Sequence, residues 1–163
     1  MIMYCRSLIF MSFILLFPAC DWIQLKKSPS FIVVNVLDTS FYNDCHIKGS
    51  IQVTFADLET YAHTHWDKEK TEVILYCGNY KCTASGAGAK MLRDQGFKKA
   101  YAFEGGTAEW VHKGYPVTGP CQEKYLEDFE EPADFSEKLK KEGELIIIAD
   151  DLYTKMRNFG LLE

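Results

Sequence analysis

Apolar runs of strand length alternate along this chain with stretches whose apolar residues recur every three or four positions. FIVVNV (31–36) and EVILYC (72–77) are continuous apolar runs, SIQVTF (50–55) alternates, and KAYAF (99–103) is a fourth short run. Between them, ADLETYAHTHW (56–66), TASGAGAKMLRDQG (83–96) and GTAEWVHKG (106–114) suit helices, and Gly96 suits a helix end. Strands that are apolar throughout and separated by helices predict an α/β fold: a largely parallel central sheet flanked by helices on both faces.

Beyond Pro120 the pattern becomes helical. ADFSEKLKKEGE (133–144) reads as one helix and LIIIADDLYTKMRNFGLL (145–162) as a second, amphipathic one, with Leu145, Ile148, Leu152, Met156 and Phe159 on one stripe. Such a stripe either caps the domain or docks a protein partner or membrane surface, and both readings stay open. Residues 121–163 hold 12 acids and 6 bases, whereas residues 1–120 hold 11 and 12, so the whole negative balance sits in this helical C-terminal extension. The net charge of −5 argues against general nucleic-acid binding, which needs a basic face. At 163 residues the chain has room for one compact domain, here 31–120, with the extension 121–163 attached.

The first twenty residues do not belong to that fold. Arg6 precedes an apolar stretch from Leu8 to Phe17, then Pro18-Ala19-Cys20 and a turn to polar sequence at Asp21. A basic start, a short apolar run and a small residue before a cut site describe an export signal (1–20), too short for a comfortable membrane span. A cysteine just after the small residue resembles a bacterial lipoprotein signal, which implies lipidation of Cys20 and a membrane attachment in the periplasm or cell envelope. Residues 21–30, with Pro29 between two serines, read as a tether. An exported domain would meet conditions in which thiols oxidise.

Cys77 carries the chemistry. It closes the strand VILYC, GNYKC follows as a loop, and a helix rich in small residues begins after it. A loop wrapped around the end of a parallel strand and feeding a helix aims several backbone N–H groups at one point, with the positive end of the helix behind them. A cysteine there is expected to have its pKa lowered below the free value of about 8.5. The thiolate is the form that attacks sulfur, and the same cradle suits an oxyanion or a persulfide.

These residues, together with His46-Ile47-Lys48-Gly49-Ser50, GFKKAYAFEGGTAEW (96–110) and Gly114-Tyr115-Pro116-Val117, make the chain resemble the rhodanese-like family of sulfurtransferases over residues 31–118. The resemblance implies that Cys77 takes sulfane sulfur from a small-molecule donor such as thiosulfate, holds it as a persulfide, and passes it to a thiol or cyanide-like acceptor. It makes Gly78, Asn79, Tyr80, Lys81, Cys82 and Thr83 the substrate-binding loop. It calls for no cofactor and no metal. Counting Cys77 through Cys82 gives the six-residue loop of the sulfurtransferases, one residue shorter than in related phosphatases. Lys81 is the one base in this loop, and Asn35-Val36-Leu37 stands where the family usually has Asp-Val-Arg, with Asp38 as a partial substitute.

Cys82 departs from the family pattern. As a resolving thiol it would form a reversible disulfide with Cys77; as a small buried residue it would pack into the helix. Two other functions therefore remain beside sulfur transfer: a thiol–disulfide redox protein using Cys77 and Cys82, and a non-catalytic binding module. Cys45 either packs or pairs with Cys121, which spacing alone does not decide. His46 and Trp110 read as structural, His63 and His65 point different ways on a helix, and His112 faces solvent.

Overall fold

In β1 (Phe31–Asn35) successive side chains enter two different apolar layers: Val33 faces one and Val34 the other, both fully buried. A strand covered on both sides shows no polar face, which is why Phe31 to Val34 is apolar without interruption. The computed structural model describes residues 29–143 and 145–163. The export signal, Cys20 and most of the tether fall outside the described residues.

After β1 come α1 (Thr39–Asp44), β2 (His46–Ile47), β3 (Ile51–Gln52), α2 (Leu58–His65), β4 (Glu72–Tyr76), α3 (Ala84–Asp94), β5 (Ala100–Phe103), α4 (Gly106–His112) and β6 (Val117–Thr118). A single 3₁₀ turn (Lys124–Glu127), α5 (Phe135–Glu142) and α6 (Ala149–Asn158) complete the chain. Four strands form one parallel sheet in the order β3-β1-β4-β5, with Val33 opposite Ile74 and Ile74 opposite Tyr101. On one face α2 and α3 bring Leu58, Ala62, Ala89 and Leu92 onto Val34, Val73 and Leu75. On the other, α4 and α6 bring Trp110, Leu152 and Met156 onto Val33, Ile74 and Phe103. This is the α/β arrangement that the sequence predicts.

The tail departs from its pattern at one place. Residues 145–147 are not the first turn of a helix; they run along the outer edge of β5. Ala102 N–H donates to the Leu145 carbonyl at 2.7 Å, and Ile147 N–H donates to the Ala102 carbonyl at 2.9 Å. A run of β-branched isoleucines beside an open sheet edge satisfies more backbone groups by extending the sheet than by coiling. The helix therefore starts at Ala149, and its inward stripe is Ala149, Leu152 and Met156. Ile148 and Phe159, assigned to the stripe from sequence, are 40% and 49% exposed, although the Phe159 ring stacks on Phe31. The apolar face of α6 is spent on the sheet.

β2 and β6 form a separate antiparallel pair with His46 opposite Thr118. That pairing brings the flanking Cys45 and Cys121 within bridging reach, and they form a disulfide with Cα atoms 4.6 Å apart. The choice left open for Cys45 is thus settled in favour of pairing. Asp44 seals the same junction: its carboxylate accepts from the backbone N–H groups of Gln122 and Glu123. The chain leaving the domain is turned back toward the ends of β1 and β4.

Those ends are where the sheet changes direction. From β1 the chain crosses to β3 on one side, and from β4 it crosses to β5 on the other. A crevice opens outside the C-terminal ends of two neighbouring strands connected in opposite directions, and ligands of parallel sheets bind there. Cys77 directly follows β4 at that point.

Candidate active site

The cradle is built by fixing carbonyls outward. Thr107 N–H donates to the Cys77 carbonyl at 3.1 Å and Ala108 N–H to the Gly78 carbonyl at 2.9 Å. The first turn of α4, whose N–H groups have no partner within their own helix, thus holds the first two peptide units of the loop. Gly106 makes the approach feasible: its φ is +60°, and a Cβ there would lie 2.5 Å from the Cys77 carbonyl oxygen. With these carbonyls engaged by α4, the Gly78 N–H turns toward the sulfur atoms, where it meets Cys82.

The two sulfurs divide the site differently from the sequence expectation. Cys77 is fully buried, with its sulfur 3.1 Å from the Cys82 carbonyl oxygen and 3.4 Å from Ser85 Oγ. A hydrogen bond to the Cys82 sulfur, followed by burial, raises the pKa of the Cys77 thiol far above its ordinary value. The same hydrogen bond draws Cys82 down to about 6, against its own burial and with help from the backbone N–H groups of Ala84 and Gly78. The acidic thiol of the pair is therefore Cys82 and not Cys77, a correction to the expected lowering at Cys77. The hydrogen bond from Cys77 is the first cause of that lowering, with the Ala84 and Gly78 N–H groups adding to it, whereas Cys77, despite its contacts to Ser85, lies in the apolar interior.

The rest of the loop is tied down by groups outside the expected set. Asn79 is buried; its Oδ1 accepts from Lys81 N–H at 3.1 Å and its Nδ2 donates to the Tyr125 carbonyl at 3.2 Å. Tyr125, on the 3₁₀ turn, lays its ring over Gly78, where a Cβ would lie 3.2 Å from Cδ2. Tyr80 donates to Glu109 at 2.9 Å and meets the Phe135 ring edge-on at 5.0 Å. Lys81 is exposed and paired with Asp128 at 2.7 Å, so the one base of the loop is engaged by the tail. Thr83 is exposed at the start of α3. Asn35 Oδ1 accepts from Leu37 N–H at 2.8 Å, and Asp38 is exposed before α1, making no side-chain cap.

A cavity of about 590 Å³ opens beside the loop, between α3, the β5 edge and α5. Cys82 and Thr83 lie on its wall, Ala102 and Ile146 line it from the sheet, and Lys138 closes part of its rim through an ion pair with Glu104 at 2.6 Å. Among the described residues no group of three or more His, Cys, Asp or Glu side chains could hold a metal ion. His63 bonds Gln95, and His46 Nδ1 lies 2.7 Å from the Tyr42 carbonyl, the structural role read for it from sequence. Trp110 is a fully buried anchor whose Nε1 donates to the Pro116 carbonyl.

Comparison with known proteins agrees with this geometry. The model of the rhodanese-like domain matches residues 21–113. The chain belongs to the rhodanese-like domain family. It is similar to the thiosulfate sulfurtransferase GlpE of Tolumonas auensis, 30% identical over 94 residues that cover 58% of this chain and 84% of that protein. Among solved structures it resembles the Alr3790 protein of Anabaena sp. (TM-score 0.51, 25% identity, 72% of this chain and 81% of the other). It also shares its fold with the BH2092 protein of Bacillus halodurans (TM-score 0.52, 22% identity, 67% and 77%).

Within the rhodanese-like frame, the groups that sequence reading missed come from the tail: Tyr125, Asp128 and Phe135 all touch the loop. Their signal in the sequence was the Cys45–Cys121 pair, which directs the tail back over the site. Ser85 is one of the small residues that open α3, and its hydroxyl is at the Cys77 sulfur. Its signal was a hydroxyl at the third position after Cys82, one turn along the helix from the loop.

Proposed function

We propose that the protein is a sulfurtransferase that moves sulfane sulfur from a thiosulfate-like donor to a thiol acceptor through a persulfide on Cys77. The observation that carries this reading is the Cys77–Cys82 sulfur pair held against the cradle N–H groups at the end of β4. The pair carries one negative charge at neutral pH. Moving the shared proton from Cys77 to Cys82 delivers that charge to Cys77 without adding a second charge to the interior. Cys77 then attacks the outer sulfur of thiosulfate, the S–S bond of the donor breaks, and sulfite leaves with the electron pair. The outer persulfide sulfur would be stabilised by the backbone donors that now serve Cys82.

The similarity to a thiosulfate sulfurtransferase supports this assignment. We also propose that the protein acts outside the cytoplasm, attached through a lipid on Cys20; the Cys45–Cys121 disulfide supports an oxidising compartment. The test is formation of sulfite and of a persulfidated acceptor from thiosulfate and a thiol. Turnover that disappears in Cys77→Ser supports the assignment. Turnover that persists in that variant sinks it.

A further inference from the structure

The Cys82 residue lies beside the Cys77 thiol in the cradle, its carbonyl oxygen 3.1 Å from the Cys77 sulfur. Its sulfur is hydrogen-bonded to the Cys77 thiol, and it receives the N–H groups of Gly78 and Ala84. It also lies on the wall of the 590 Å³ cavity, whereas Cys77 is 0% exposed. Anything entering by that cavity meets Cys82 first. A turn closed by Cys82 N–H on the Asn79 carbonyl at 3.0 Å holds Cys82 against its neighbour.

We propose that Cys82 is a second catalytic thiol that attacks the inner sulfur of the Cys77 persulfide and expels hydrosulfide, leaving a Cys77–Cys82 disulfide. The proposal rests on the sulfur-transfer reading above and makes the end product sulfide instead of a persulfidated acceptor. In this step the bond between Cys77 sulfur and the outer sulfur breaks, and the outer sulfur leaves as HS⁻ with both electrons of that bond and the proton that Cys82 took up when Cys77 attacked the donor. A bond forms between the Cys77 and Cys82 sulfurs, so the two thiols are oxidised by the two electrons that reduce the sulfane sulfur. A dithiol, or two equivalents of a small thiol, then attacks the disulfide and restores both cysteines while being oxidised itself.

Three features favour this route. The two cysteines already meet within one loop, with the Cys77 sulfur 3.1 Å from the Cys82 carbonyl oxygen. A thiol ionised near neutral pH combines a high thiolate fraction with retained nucleophilicity. The cavity brings the external thiol to Cys82, the accessible sulfur of the pair.

The experiment is a single turnover with thiosulfate on the reduced protein, without oxygen and without added thiol. The expected result is about one sulfide released per chain after the sulfite, loss of both free thiols, and a Cys77–Cys82 linked peptide on digestion. Cys82→Ser is expected to release sulfite, release no sulfide, and keep the added sulfur atom. The wild-type readout stands alone if that variant does not fold. Wild type that keeps the sulfur as a persulfide, with Cys82 still free to alkylate, overturns the proposal and leaves the sulfur-transfer reading intact. Absence of sulfite from both proteins overturns the sulfur-transfer reading, and the proposal with it.

Discussion

Gly106 faces the Cys77 carbonyl so closely that a Cβ added to it would come within 2.5 Å of that oxygen and 2.8 Å of the Gly78 carbonyl. The contact couples two distant pieces of sequence, the end of β4 and the first turn of α4. It fixes which way the loop peptides point, and so where the N–H donors converge. Gly106→Ala forces either α4 or the loop to move, and adds the strain of a non-glycine residue at positive φ. The expected cost is about 1–3 kcal/mol, read as a lower urea midpoint. The initial release of sulfite from thiosulfate should fall with it; an unchanged urea midpoint would mean that the close approach is not needed.

The unequal thiols are testable by alkylation. Because the pKa of Cys82 is lowered, its thiolate fraction rises as pH increases through about 6 and is nearly complete at neutrality. A plain cysteine is only half ionised at its free value of about 8.5. The iodoacetamide rate at Cys82, followed by peptide mapping, is expected to be half-maximal near pH 6. In Cys77→Ala the first cause of the lowering is gone, and the midpoint should move up. A midpoint that stays in place would show that the backbone donors alone set it.

The disulfide is predicted to stabilise the whole fold and not merely the junction it closes. It links residues 76 positions apart, and a constraint of that span removes much of the freedom of the unfolded chain. Replacing both Cys45 and Cys121 with serine is expected to cost about 2–4 kcal/mol in chemical denaturation. The same change should loosen the 3₁₀ turn, which hydrogen exchange at Tyr125 and Leu126 would register.

Two neighbours in the tail separate core from surface. Leu152 is fully buried on the sheet, and Leu152→Ala is expected to cost about 2–5 kcal/mol. Ile148, 40% exposed, should lose no more than about 0.5 kcal/mol on the same change. Equal losses at the two positions would contradict the way α6 is seated.

These contrasts mark what could be read from the sequence. The central strands β1 and β4 were legible because burial on both faces removes polar residues, as in Val33-Val34 and Ile74-Leu75. The loop that follows Cys77 was legible because a strand, a tight turn and a helix of small residues have few other uses. The edge segment was not: Ile146 to Ile148 satisfy a helical stripe as well as a strand, and the β5 edge that decides between them lies over forty residues away in sequence. The ordering of the two thiols was hidden for a related reason. Which sulfur receives the Gly78 and Ala84 N–H groups depends on peptide orientations imposed by α4, and no spacing within GNYKC encodes them. The short β2 and β6 pair escaped notice because two-residue strands carry no periodicity, and with it went the means of choosing a partner for Cys45.

The account stands or falls on Cys77 as the residue that takes sulfur from the donor. The most direct measurement is the burst of sulfite when reduced protein is mixed with thiosulfate, because sulfite leaves in the same event that places sulfur on the enzyme. Wild type is expected to release about one sulfite per chain in the first turnover, and Cys77→Ser, checked for a native circular dichroism spectrum, to release none. A burst of equal size from that variant would contradict the account and assign the attack on the donor to Cys82.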